Sequence, residues 1–163
     1  MSINHKMNEW MTPLFAIALL CFAPALLTPA HAEDGKVIAG IACQKSLGVG
    51  SVGGGALRND STTGSLTAEC PIVRDSIYGG INDAYVRLYN ASSSTSACTL
   101  NARSIYGTYG YSQYKSASGS GYKTLSYTPI SDVNGGHYYF WCAIAPSTNG
   151  AKSRLISYRM DEN

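Results

Sequence analysis

The chain has 163 residues, 12 Lys and Arg against 10 Asp and Glu, a net charge of +2, and 45% hydrophobic residues. So weak a basic excess, spread along the chain, excludes nucleic acid and the membrane surface as main partners. Few charges together with many Gly, Ser, Thr and Tyr residues are the composition of an all-β protein with many turns.

At the N-terminus Lys6 precedes the apolar run Leu14 to Leu27, and Ala30-His31-Ala32 has the small-residue pattern of a cleavage site. The expectation is a cleaved signal peptide over residues 1–32 and one β-domain over residues 33–163, exported to the periplasm or beyond. The run is shorter than the roughly 20 residues of a spanning helix and contains Pro24, so no membrane insertion is expected after processing. Removing the leader removes Lys6, Glu9, Trp10 and Cys21, which leaves a net +2, Trp141 as the sole tryptophan and His137 as the sole histidine.

Four cysteines remain: Cys43, Cys70, Cys98 and Cys142. An even count in an exported chain implies two disulfides, and the spacings fit no structural zinc motif. Three connectivities are possible, of which Cys43–Cys70 with Cys98–Cys142 is favoured, each closing a loop that restricts the unfolded chain by roughly 3 to 4 kcal/mol.

In chain order, Val37 to Cys43 reads as a first strand. Gly48 to Gly55 reads as a loop or bulged strand; its Gly48-x-Gly50-x-x-Gly53 spacing imitates a dinucleotide fingerprint, but no helix follows and no cofactor is expected. Ala56 to Asn59 and Ser65 to Pro71 read as strands, the second ending, bulging or running along an edge at the proline. The cleanest alternation follows: Ala84, Val86 and Leu88 point one way, and Tyr85, Arg87 and Tyr89 the other, which makes the second face a candidate binding surface. Asn59-Asp60-Ser61 and Asn90-Ala91-Ser92 match the glycosylation acceptor pattern.

Cys98 to Tyr106 is a further strand, then a Gly- and Ser-rich tract carrying Tyr106, Tyr109, Tyr111, Tyr114 and Tyr122, then a strand over Lys123 to Tyr127. Asp132-Val133-Asn134-Gly135-Gly136 resembles the start of a calcium loop but lacks the later bidentate Glu, so a hairpin turn is the expectation and no metal site is assigned. Gly136 to Ile144 is the best-bounded element: Tyr138, Phe140, Cys142 and Ile144 share one face, and His137, Tyr139, Trp141 and Ala143 the other. Bulk on both faces predicts a central strand. A closing strand runs from Ser153 to Met160. Eight or nine short strands with no helical period indicate a single antiparallel β-sandwich, with a closed barrel as the second architecture.

The segments Cys70 to Asp75, Ala97 to Leu100, Tyr138 to Ile144 and Ser157 to Glu162 together resemble a group of small exported bacterial proteins of unassigned function. That resemblance implies an exported, disulfide-bonded β-fold and transfers no functional residue. Ser118-Gly119-Ser120-Gly121-Tyr122 is similar to the S-G-x-x-Y loop of the periplasmic inhibitors of C-type lysozyme. There the resemblance implies contact roles for Ser118 and Tyr122.

No catalytic constellation emerges. A single histidine, no G-x-S-x-G elbow on a strand-to-helix turn, and dispersed acids (Glu69 on the outward face beside Cys70, and Asp60, Asp75, Asp83 and Asp132 mostly near turns) do not assemble a triad or a facing carboxyl pair. The tyrosines are the positive signal, because a flat ring buries apolar area while its hydroxyl satisfies a partner. The reading is a non-catalytic exported binding module for carbohydrate or another extracellular protein, with Tyr85, Tyr89, Tyr109, Tyr111, Tyr114 and Tyr122 as candidate contacts. The alternative is a secreted inhibitor of a hydrolase such as lysozyme.

Overall fold

The computed structural model describes residues 35–75, 78–131, 133 and 135–162, and of Tyr109 only the backbone. The expected signal peptide, and Asp132 and Asn134 of the calcium-like segment, lie outside the described residues. Eleven strands form two antiparallel sheets: β1 (Lys36–Ala39), β2 (Gln44–Leu47), β3 (Gly50–Gly53), β4 (Ala56–Asn59), β5 (Leu66–Pro71), β6 (Ile81–Asn90), β7 (Ser96–Arg103), β8 (Tyr109–Ala117), β9 (Gly121–Tyr127), β10 (His137–Ile144) and β11 (Arg154–Glu162). One sheet runs β3-β4-β11-β6-β9, with β1 pairing to the far half of β11; the other runs β2-β5-β10-β7-β8. This is the expected all-β sandwich.

The core lies between the sheets and is filled by the alternation read from sequence. Ala84, Val86 and Leu88 of β6 face Cys98, Leu100 and Ala102 of β7 and Tyr138, Phe140, Cys142 and Ile144 of β10, all buried. Phe140 of the five-stranded sheet packs against Tyr127 and Tyr158 of the six-stranded one, at centroid distances of 5.3 and 5.8 Å. The two tyrosines satisfy their hydroxyls on the opposite sheet, Tyr127 donating to Cys98 O at 2.9 Å and Tyr158 to Pro71 O at 2.8 Å. Burial therefore pushes both phenols up, Tyr158 to about 12.

Both favoured disulfides are present. Cys98 and Cys142 stand directly opposite each other on β7 and β10, so that bond staples two neighbouring strands. Cys43–Cys70 does a different job: Cys43 sits where the chain leaves β1 and enters β2, and the bond fixes that crossing to β5 of the five-stranded sheet.

The local departures from the sequence reading have physical reasons. The first strand stops at Ala39, and Gly40–Ala42 form a 3-10 turn that lets the chain change sheets. The glycine tract splits into β3 and a two-residue hairpin turn, with Gly54 and Gly55 at φ of 59° and 75°, a conformation that only glycine adopts without strain at both positions. In β11 a bulge between Leu155 and Ser157 restores phase, so that Leu155 and Tyr158 both point inward although an odd number of steps separates them.

The two asparagines that match the acceptor pattern have a structural role. Asn59 and Asn90 are both 0% exposed. Asn59 Nδ2 donates to the carbonyls of Gly64, Ile144 and Ala145 at 2.9, 3.1 and 2.9 Å, and its Oδ1 accepts from Ser61 N at 2.9 Å. Asn90 Nδ2 serves Ser94, Ala117 and Gly119 carbonyls, and Ser96 donates to its Oδ1 at 2.6 Å while accepting from Ala145 N at 2.8 Å. These amides are the internal fasteners of the loops at one end of the sandwich, and neither has a nitrogen available for a glycan.

At the other end, Arg74 donates to Glu162 Oε1 at 3.2 Å and to the carbonyls of Gly136 and Gly79, with its guanidinium 4.8 Å from the centroid of Tyr138. Glu162 also accepts from Asp75 N at 2.8 Å. The Cys70–Asp75 and Ser157–Glu162 segments, distant in sequence, thus meet as one structural joint.

Candidate functional site

The outer face of the five-stranded sheet is open, and its centre is β10. Alternation that buries Tyr138, Phe140, Cys142 and Ile144 must send His137, Tyr139, Trp141 and Ala143 to the other side. No second layer covers that side among the described residues, and Trp141 is 40% exposed in the middle of the sheet. Bulk on both faces correctly indicated a central strand, but the second face meets solvent and not a second core.

Register builds a row across the sheet through Trp141. Trp141 stands opposite Glu69 on β5 and Thr99 on β7; Glu69 stands opposite Gln44 on β2, and Thr99 opposite Tyr114 on β8. Paired residues in an antiparallel ladder share a face, so Gln44, Glu69, Trp141, Thr99 and Tyr114 form one transverse line. Tyr114 is 64% exposed and lies two strands from Trp141, about 10 Å away at the usual strand spacing.

Beside this row lies an open groove of about 460 Å³ lined by Gln44, Glu69, Pro71, Arg103, His137 and Tyr139, among others. The Tyr139 hydroxyl accepts from the Arg103 guanidinium at 3.3 and 3.4 Å, which fixes the ring, and His137 stacks on Tyr139 at 6.2 Å with an interplanar angle of 22°. The site therefore combines two exposed aromatic platforms, a third ring held edgewise by a cation, and a carboxylate, an amide and an imidazole at the rim. Among the described residues no cluster of three or more His, Cys, Asp or Glu residues is placed to hold a metal ion. Among the described residues Glu69, His137 and a serine are not joined by hydrogen bonds.

The five candidate tyrosines whose side chains are described do not converge. Of these five, Tyr114 alone joins the row just described. Tyr111 stands opposite Ala102 near the sheet edge and lines a small hollow with Ile130 and Val133. Tyr85, Tyr89 and Tyr122 are on the outer face of the other sheet, where Tyr89 and Tyr122 stand opposite each other with rings 5.2 Å apart, edge to face. The side chain of Tyr109 lies outside the described residues. Sequence reasoning passed over Trp141, Tyr139, Glu69, Gln44 and Arg103 as contacts. The available signal was the second face of β10, which carries three rings in alternate positions.

No protein-family model matches the chain, and no curated protein matches it in sequence. Among solved structures it is similar to the CBM36-1 domain of a multidomain xylanase from the hindgut metagenome of Trinervitermes trinervoides, at 11% identity over 78% of this chain and 96% of that one, TM-score 0.49. It is also similar to CBM86, a low-affinity xylan-binding module from the gut symbiont Roseburia intestinalis, at 13% identity over 79% of this chain and 96% of that one, TM-score 0.49. A third similar structure is a family 35 carbohydrate-binding module from Clostridium thermocellum, at 12% identity over 79% of this chain and 92% of that one, TM-score 0.40. These are distant likenesses of overall shape.

Proposed function

We propose that this protein is a non-catalytic, exported carbohydrate-binding module whose ligand lies across the outer face of the five-stranded sheet. The observation that carries the proposal is the placement of Trp141, 40% exposed at the centre of that sheet and in line with Glu69 and Tyr114. A large ring is usually withdrawn from solvent, and one held open on a rigid strand is suited to stack on the apolar face of a sugar. Gln44, Glu69, Arg103 and His137 around it supply donors and acceptors for hydroxyls, the small set of placed polar groups that a ligand site needs for orientation. Two disulfides fit an oxidising compartment outside the cytoplasm.

The test is a glycan array probed with the oxidised protein and with Trp141→Ala, run beside a lysozyme and protease inhibition panel. The proposal expects glycan binding that Trp141→Ala abolishes and an empty inhibition panel. An empty array with inhibition that Tyr122→Ala removes would overturn it and establish the inhibitor reading. That second reading is favoured by one observation: the β8–β9 hairpin, with Gly119 and Gly121 at φ of 83° and 96°, presents Tyr122 at 73% exposure.

A further inference from the structure

The outer face of the six-stranded sheet carries a second concentration of side chains that glycan binding on the five-stranded sheet does not use. Strand pairing sets Arg58 of β4 and Arg154 of β11 directly opposite each other, and sets Arg154 opposite Tyr89 of β6 as well. Like charges facing each other across a ladder are destabilising, and such a local violation persists where something else is gained. Lys152 adds a third cation at the same place.

Among the described residues the carboxylates neutralise only the lysine of this cluster. Asp60 is 3.3 Å from Lys152, and among the described residues neither arginine has an ion-pair or side-chain hydrogen-bond partner; Arg58 Nε is buried without one. Packing holds the guanidinium groups instead. A Cβ at Gly53 would fall 2.7 to 2.9 Å from the Arg58 head group, so glycine there is what lets that group lie over the β3–β4 hairpin. The Arg154 head group is 5.1 Å from the Tyr89 ring centroid, and Tyr89 is in turn braced by Tyr122. The result is a hollow of about 540 Å³ bounded by Arg58, Tyr89, Tyr122, Lys152 and Arg154, with small residues Gly150 and Ala151 leaving it open.

We propose that this hollow binds a sugar residue bearing a carboxylate or sulfate, with the oxyanion held by the arginines that line the hollow and the sugar ring against the exposed Tyr122. A guanidinium fork that makes no ion pair or hydrogen bond within the described residues matches a carboxylate or sulfate in a bidentate manner. The adjoining tyrosine pair selects an anion carried on a ring over a bare ion, because a bare ion leaves the rings unused. The site is on the opposite sheet from Trp141 and stands independently of the proposed function.

Titration calorimetry of the oxidised protein tests it, using oligogalacturonate, its fully methyl-esterified form, a sulfated galacto-oligosaccharide and inorganic sulfate as probes. At least one of the two acidic sugars binds, with affinity falling as salt rises, and which one binds identifies the oxyanion source. The esterified form and inorganic sulfate each bind at least about tenfold more weakly. Arg154→Gln and Arg58→Gln each weaken acidic-sugar binding about tenfold, about 1.4 kcal/mol, Arg154→Lys weakens it less, and Trp141→Ala leaves it unchanged. Thermal melts establish that each variant is folded. Equal binding of acid and ester, binding undiminished in folded arginine variants, or loss in Trp141→Ala would overturn the proposal. Sulfate binding as tightly as the sugars would overturn its saccharide component. Binding of neutral glycans at Trp141 is read separately, so the two sites fail or stand apart.

Discussion

Replacing Asn59 with Ala removes a buried amide that holds three carbonyls and one backbone N–H at distances of 2.9 to 3.1 Å. The carbonyls of Ile144 and Ala145 lie at the end of β10, and Asn59 itself is 0% exposed, so water cannot readily replace the amide. Each buried polar group deprived of its partner costs about 1 to 3 kcal/mol. With two such carbonyls and the Ser61 amide affected, a destabilisation of about 3 to 5 kcal/mol follows, a large part of the 5 to 15 kcal/mol that stabilises a typical domain. Urea denaturation followed by Trp141 fluorescence reads this directly: the midpoint should fall by about 2 M with an unchanged slope, for a slope of about 2 kcal/mol per M. A fall worth less than about 1 kcal/mol would refute the claim that this amide fastens the loops. The same burial predicts that protein made in a glycosylating host carries no glycan at Asn59 or Asn90, which intact-mass measurement checks.

Other outcomes follow from the core. Reduction of both disulfides should lower stability by several kcal/mol, since the bridged residues are 27 and 44 positions apart and the loop-entropy estimate is about 3.5 to 4 kcal/mol for each; coincident melts with and without reductant would contradict the covalent framework. Tyr127 and Tyr158 are raised above the ordinary phenol value of 10.0, so the folded chain holds their protons more tightly than the unfolded chain. Stability should therefore be fully present below about pH 10, where neither state ionises, and fall as pH rises toward 12. Tyr158→Phe should flatten that alkaline loss in pH-dependent melts, and an unchanged profile would count against the buried-phenol account.

The sequence was most legible where an inner strand alternates strongly. β6 and β10 each place apolar residues at every second position, and their cysteine neighbours keep the same phase, so both the strands and the sulfurs' inward direction could be read. β8 could not: Tyr111, Gln113, Lys115 and Ala117 form its inward phase at a sheet edge, and only part of that set is apolar. β2, exposed along its whole length, has no burial pattern to read. The fastening role of the two asparagines was not legible because their partners are mostly backbone groups, some more than eighty positions away, which no local pattern encodes. For the site, period two separated Trp141 from Phe140 but could not say which face lacked a second layer. The facing of Arg58 and Arg154 depends on the pairing of β4 with β11, a long-range choice invisible in either strand alone.

Trp141 gives its own readout, being the sole tryptophan beyond the N-terminal segment that contains Trp10. The most direct measurement is its emission during titration of the processed, oxidised protein with a soluble glycan identified on the array. The account predicts a saturable shift in emission, with Trp141→Phe retaining weakened binding and Trp141→Ala none. Saturating glycan binding that leaves Trp141 emission unaltered and survives Trp141→Ala would contradict the assignment of this face as the ligand site.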